Sequence, residues 1–167
     1  DPDYSDSVVN IFIDLYNKIK RQAQIIPKKD IGYIITETGL NKDSIVIETG
    51  AGSGATGSFF AKICKKVIAY EIRKDYVDLV KENIKNLDIK NYTVKHKDAK
   101  LGFSEKNVDL ILLDLPSPWD IINASKNSLK VGGFLVSYSP TIPQVMDFVS
   151  ALDDSFTYIK TSEIIDR

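Results

Sequence analysis

The seven residues Glu48-Thr-Gly-Ala-Gly-Ser-Gly54 place a carboxylate ahead of three alternating glycines. Glycines at this spacing let a backbone turn through positive φ and approach a ligand closely. Residues 52–57, Gly-Ser-Gly-Ala-Thr-Gly, also satisfy the dinucleotide fingerprint G-x-G-x-x-G, and Glu71 follows at about the distance of a ribose-binding acid. A tight turn without a ligand is a weaker reading, since Gly50, Gly52, Gly54 and Gly57 crowd into eight residues. Two ligand classes therefore compete, a dinucleotide and a nucleoside carrying a cation. Glu48 favours the second, because a carboxylate suits a sulfonium or ammonium group and repels pyrophosphate. A dehydrogenase would also need a substrate domain, for which the chain leaves no residues.

These residues need a scaffold that brings them to one edge. Ser44–Thr49 contains three consecutive apolar residues, Ile45, Val46 and Ile47, as expected of a strand buried on both faces. Further strands are expected at 66–71, 92–96, 108–114, 134–138 and 156–165, six in all. Helical spacing is expected over 8–20, over 31–38 with Asp30 as cap and Gly39 as stop, over 58–64, 75–87 and 119–129 ended by Gly132-Gly133, and over 142–152. The alternation implies an α/β fold with a mostly parallel sheet and helices on both faces. Ligands of such sheets bind beyond the carboxyl ends of the strands. Four of the strand ends there carry an acid: Glu48, Glu71, Asp98 and Asp114.

At 167 residues the chain suits one compact unit, read as an N-terminal helix and basic connecting segment (1–28) leading into a ligand-binding domain (29–167). A net charge of −1 does not mark a general nucleic-acid binder, but residues 17–29 carry Lys18, Lys20, Arg21, Lys28 and Lys29 without an acid. The lone cysteine, Cys64, excludes an internal disulfide and fits a reducing, cytoplasmic setting. No metal-ligand cluster and no membrane-length apolar run are present in the sequence. His96 reads as a surface residue, Cys64 as apolar packing and Met146 as helix core. The chain opens without Met in the polar run 1–6, as a fragment or trimmed chain would.

Segment 45–54 resembles motif I of class I methyltransferases, which use S-adenosylmethionine. The words Gln24-Ile-Ile-Pro-Lys-Lys-Asp30, Glu48 to Gly54, Tyr70-Glu-Ile-Arg73, Asp98, Asp114-Leu-Pro-Ser-Pro-Trp119 and Ser137-Tyr-Ser-Pro-Thr141 stand in the order of the tRNA adenine-N1 methyltransferases, the TrmI-like family. The resemblance runs from about Phe12 to Arg167. It implies a Rossmann-like class I methyltransferase fold, S-adenosylmethionine as methyl donor, N1 of a T-loop adenine in tRNA (position 58, with the adjacent position in some members) as acceptor, and a homotetramer. On this footing Gln24, Glu48, Gly50, Ala51, Gly52, Ser53 and Gly54 line the donor site, Glu71 takes the ribose hydroxyls, and Asp98 with Ala99 meets the adenine. Asp114 borders the donor and is the catalytic carboxylate.

The chemistry agrees with these roles. N1 of adenine already has a free lone pair, so alignment rather than a strong base supplies the rate. The product ring is cationic, and a carboxylate near N6 stabilises it. The target base has to be flipped out of folded tRNA; Trp119 and Tyr138 are candidate walls, with a core-anchor role for Trp119 weighing at least as much, and Lys18, Lys20 and Arg21 are candidate phosphate contacts. Two departures stand out. Pro27 and Lys28 occupy places where the family has an aromatic residue and then proline, and the chain stops before a final antiparallel strand, so the last strand of the sheet is expected to be missing. A small-molecule methyltransferase acting on a corrinoid precursor and a non-catalytic RNA-binding subunit are the competing readings.

Overall fold

The computed structural model describes residues 11–166. Its elements alternate: α1 (Ile11–Asn17), α2 (Lys28–Thr38), β1 (Ile45–Thr49), α3 (Ala55–Ile63), β2 (Lys66–Glu71), α4 (Lys74–Asn86), β3 (Tyr92–His96), β4 (Val108–Leu113), α5 (Ile122–Lys126), β5 (Leu129–Ser137) and α6 (Ile142–Ser150). The five strands are all parallel in the order β3-β2-β1-β4-β5. The order reverses between β1 and β4, which opens a crevice above their carboxyl ends.

Side chains of successive strand residues point to opposite faces, so a strand covered on both sides has to be apolar throughout. Val46, Leu110 and Leu112 pack with Tyr16, Ile26, Ile31, Phe60 and Val80 on one face. Ile47, Ile111 and Leu113 pack with Tyr70, Phe103, Ile121 and Phe148 on the other. Tyr16, just before the basic segment, and Ile19 and Ile26 within it belong to the first of these cores. No helix among the described residues is long and apolar enough to cross a membrane.

Several sequence expectations are corrected. Residues 156–166 form no strand: Tyr158, Ile159 and Ile165 are exposed, and the segment lies along α2. It is held there by Lys29 on the Ile164 carbonyl, Tyr33 Oη with Ser162 Oγ at 2.9 Å, and the Lys160–Glu37 ion pair. A strand needs a ladder partner, and these bonds come from helix side chains instead. α3 starts at Ala55 rather than 58, taking Gly57 into the helix. The 119–129 helix is a 3-10 turn (Pro118–Ile121) followed by the short α5. Gly132 and Gly133 lie inside β5, where φ of +77° at Gly132 accompanies a register shift against β4, so they make a bulge rather than a break. Pro27, not Asp30, precedes the first residue of α2. Met146 is 63% exposed because α6 turns Phe148 inward. The predicted start of the first helix, at Val8 and Val9, lies outside the described residues.

Candidate active site

The site is built where β1 and β4 end side by side. Thr49 pairs with Leu113, the Asp114 N–H donates to the Thr49 carbonyl at 3.3 Å, and the Gly50 N–H donates to the Tyr70 carbonyl at 3.2 Å. Gly50 has φ of +72°, and a Cβ there would overlap the Asp114 carbonyl oxygen, so no other residue lets the two loops pass this closely. The chain then turns through Gly52 and Gly54, both at positive φ, and enters α3. A shallow cleft, open to solvent, lies above this turn. Gln24 and Ile25 line it from the segment before α2, Glu48 to Ser53 from the end of β1 and the glycine loop, and Asp114 from the residue that follows β4.

Glu48 is 3% exposed and accepts a hydrogen bond from Tyr92 Oη. Burial pushes its carboxyl up to about 8; the Tyr92 bond opposes this, and the negative charges of Asp114 and Glu71 add to it. No lysine or arginine pairs with it among the described residues. Gly57 explains how α3 tolerates this pair, since a Cβ there would stand 2.7 Å from Glu48 Oε1 and overlap the Tyr92 ring. Asp114 is also raised, to about 6, by burial. The hydroxyls of Ser53, on the cleft, and Tyr16, buried and close enough to Glu48 to feel its charge, have no hydrogen-bond partner among the described residues. Buried polar groups without partners are uncommon and mark places where a bound molecule can supply one.

The other predicted residues fall on the same sheet edge. Glu71 is buried, and its Oε1 accepts the Arg73 N–H at 2.9 Å, while Arg73 and Lys74 pair instead with Asp75 and Asp78. Asp98 Oδ1 accepts the Lys100 N–H at 2.9 Å, and Ala99 is buried beside it. Three inter-strand steps separate the β3 and β4 ends, about 14 Å at ~4.8 Å per step, a span that suits a nucleoside with a short tail. Exposed Ile72, next to Glu71, offers an apolar surface there.

Tyr138 is half-buried, and its hydroxyl donates to Asp30 Oδ2 at 2.8 Å, with Lys29 on Asp30 Oδ1 at 3.0 Å. Trp119 packs half-buried against the second core rather than on the cleft. Of the basic residues, Lys18 is exposed, Lys20 pairs with Glu82 at 2.5 Å, and Arg21 stands 5.9 Å from the centre of the Tyr16 ring. His96 is exposed and Cys64 buried, as expected. No cluster of three or more potential metal ligands exists among the described residues. Sequence reading missed Tyr92 and Asp30 as partners of the site. Tyr92 carries no spacing signal, and the position of Asp30 ahead of an apolar run reads as a helix cap.

Comparison with known proteins bears on the fold and the family. The chain is 31% identical over 92% of its length to a protein of Methanocaldococcus jannaschii named tRNA (adenine(57)-N(1)/adenine(58)-N(1))-methyltransferase TrmI, covering 66% of that protein. It superposes with a TM-score of 0.78 on a structure described as a SAM-dependent O-methyltransferase from Thermotoga maritima, at 31% identity over 86% of this chain and 55% of that one. It superposes equally, at 0.78, on the tRNA (m1A58) methyltransferase TrmI of Aquifex aeolicus, at 25% identity over 84% and 58% of the two chains. The fold is thus the Rossmann-like class I methyltransferase fold. The chain spans between 36% and 66% of the length of curated relatives that it matches. Residues 14–167 match the family described as tRNA methyltransferase complex GCD14 subunit, and the chain belongs to that family.

Proposed function

We propose that this chain is the catalytic core of a tRNA adenine-N1 methyltransferase that uses S-adenosylmethionine and acts on a T-loop adenine, at position 58 and in some substrates at the adjacent position 57. One observation carries the reading: Asp114 lies on the same cleft as the glycine loop and Gln24, with buried Glu48 below them. The chemistry of the donor set fits S-adenosylmethionine. Among the described residues Glu48 is a buried acid without a cationic partner and the Ser53 hydroxyl lacks a partner, and Glu71 and Asp98 follow along the edge. Bound there, the donor supplies a methyl group on a sulfonium.

Glu48, Gly50, Ala51, Gly52, Ser53 and Gln24 hold the methionine end, while Gly54, off the cleft lining and facing Val80, turns the loop into α3; Glu71 accepts from the ribose diol, and Asp98 with Ala99 meets the adenine. Asp114 stands where the acceptor base enters. As a carboxylate it accepts from the exocyclic N6 amine, aligns N1 with the methyl group, and stabilises the positive charge that the ring gains. Its elevated pKa keeps it ionised only above about 6. Tyr138, anchored by Asp30, borders the base, and Lys18, Lys20 and Arg21 meet phosphates, with Trp119 supporting the Asp114 loop from the core. A cytoplasmic setting and a homo-oligomer belong to the same proposal.

The test is to incubate the chain with S-adenosylmethionine and unmodified tRNA and to analyse the nucleosides formed. The expected product is 1-methyladenosine in the T-loop. Donor binding without methylation of tRNA would favour a small-molecule acceptor, and absence of donor binding would refute the enzyme reading.

A further inference from the structure

Asn83 lies on α4, lines no part of the cleft and is 1% exposed. A buried side-chain amide has to satisfy its donors and its acceptor within the protein. Asn83 does so entirely on two distant main-chain segments. Its Oδ1 accepts the Lys20 N–H at 3.1 Å, and its Nδ2 donates to the Lys20 carbonyl at 2.9 Å and the Ser53 carbonyl at 2.8 Å. One side chain thus joins the glycine loop to the segment that follows α1. The neighbouring Glu82 adds an ion pair to the Lys20 ammonium.

That segment has little else to hold it. Among the described residues, the main-chain N–H groups of 20–26 donate to no main-chain carbonyl, and the chain is next fixed where Ile26 enters the core and α2 begins. Gln24 and Ile25, which face the cleft, lie between these two anchors. Releasing Lys20 would free the arm that carries Gln24 and, through Ser53, loosen the opposite wall.

We infer that Asn83 is a positioning residue, which docks residues 20–26 against the glycine loop and thereby sets the affinity of the cleft for its ligand. The inference rests on the reading of the cleft as the methyl-donor site. Occupancy of the cleft and order in the basic segment are then coupled in both directions, as linkage requires.

Asn83→Ala, and Asn83→Leu to keep the volume filled, test it in titrations with S-adenosylhomocysteine and in limited digestion with trypsin, with Glu82→Ala as control. The expected result is a Kd raised about tenfold with one site per chain retained, and cleavage after Lys18, Lys20 or Arg21 accelerated about tenfold, whereas Glu82→Ala stays within about twofold. A merely destabilised protein would lose stoichiometry and keep its Kd, and that outcome overturns the inference, as do wild-type values for both readouts. If the wild type binds no ligand while cleavage still depends on Asn83, the donor reading fails and the docking role stands. Should both variants fail to fold, amide exchange of peptide 20–26 in the wild type decides: slower exchange with ligand bound supports the coupling, and equal exchange refutes it.

Discussion

Glu48→Gln removes the most perturbed acid of the site while keeping its shape and an acceptor for Tyr92 Oη. In the wild type the carboxyl moves from its ordinary value of 4.5 to about 8, mainly through burial. Between those values the folded chain holds a proton that the unfolded chain has released, so stability falls as pH rises and levels off above about 8. At about 1.4 kcal/mol per pH unit the whole effect has a ceiling of about 5 kcal/mol. From pH 5 to pH 8 it amounts to about 3 to 4 kcal/mol. Tyr92, Asp114 and Glu71 surround Glu48 in both proteins, and the rise of Asp114 to about 6 largely cancels in the comparison. Urea unfolding at several pH values should therefore show the variant gaining on the wild type by that amount as pH rises. A cationic donor should ionise Glu48, which is largely protonated at pH 7, so calorimetry in buffers of different ionisation heat should show proton release on donor binding, up to about one per donor for the wild type and close to none for the variant. Parallel stability curves for the two proteins would refute the reasoning.

Asp114→Ala should leave donor affinity within a few fold but lower methylation by about 10²–10³, as loss of a preorganised charge partner does; single-turnover assays at saturating donor check this, and wild-type turnover would remove Asp114 from catalysis. Because Asp114 has to be ionised, the wild-type rate should fall as pH drops through about 6, which a pH profile with saturating tRNA would reveal. Gly57→Ala should destabilise the protein by about 1–3 kcal/mol, since the added methyl overlaps Tyr92 and Glu48 in a packed interior; thermal unfolding measures it. Joint replacement of Lys18, Lys20 and Arg21 by Ala should weaken tRNA binding and reduce its salt slope by about 2, less than three full contacts because Lys20 is engaged with Glu82. An unchanged slope in filter binding would leave these residues as a solvated face.

The central sheet was legible because its strands have to be apolar on both faces, which leaves runs such as Ile45-Val-Ile47 with few alternatives. The glycine loop was legible because positive φ and close approach restrict residue choice at Gly50. What escaped depends on partners far away in sequence. The segment 156–165 has strand-like composition, yet strand formation depends on a neighbour, and here α2 provides the contacts. Gly132-Gly133 punctuates the sequence as a turn would, but β5 absorbs it as a bulge against β4. Tyr92, Asp30 and Asn83 lie 44, 108 and 30 residues from the groups they hold, and no local pattern announces such pairs.

Gly57 completes the G-x-G-x-x-G string that looked like a dinucleotide fingerprint, yet its missing side chain makes room for the Glu48–Tyr92 pair. Two unrelated selective demands can therefore write the same short string. Positions 48, 57 and 92 are sterically coupled: loss of the acid would relax the requirement for glycine, and bulk at 57 would collide with the phenol. Substitutions at these positions should arrive together along the branches of the family tree.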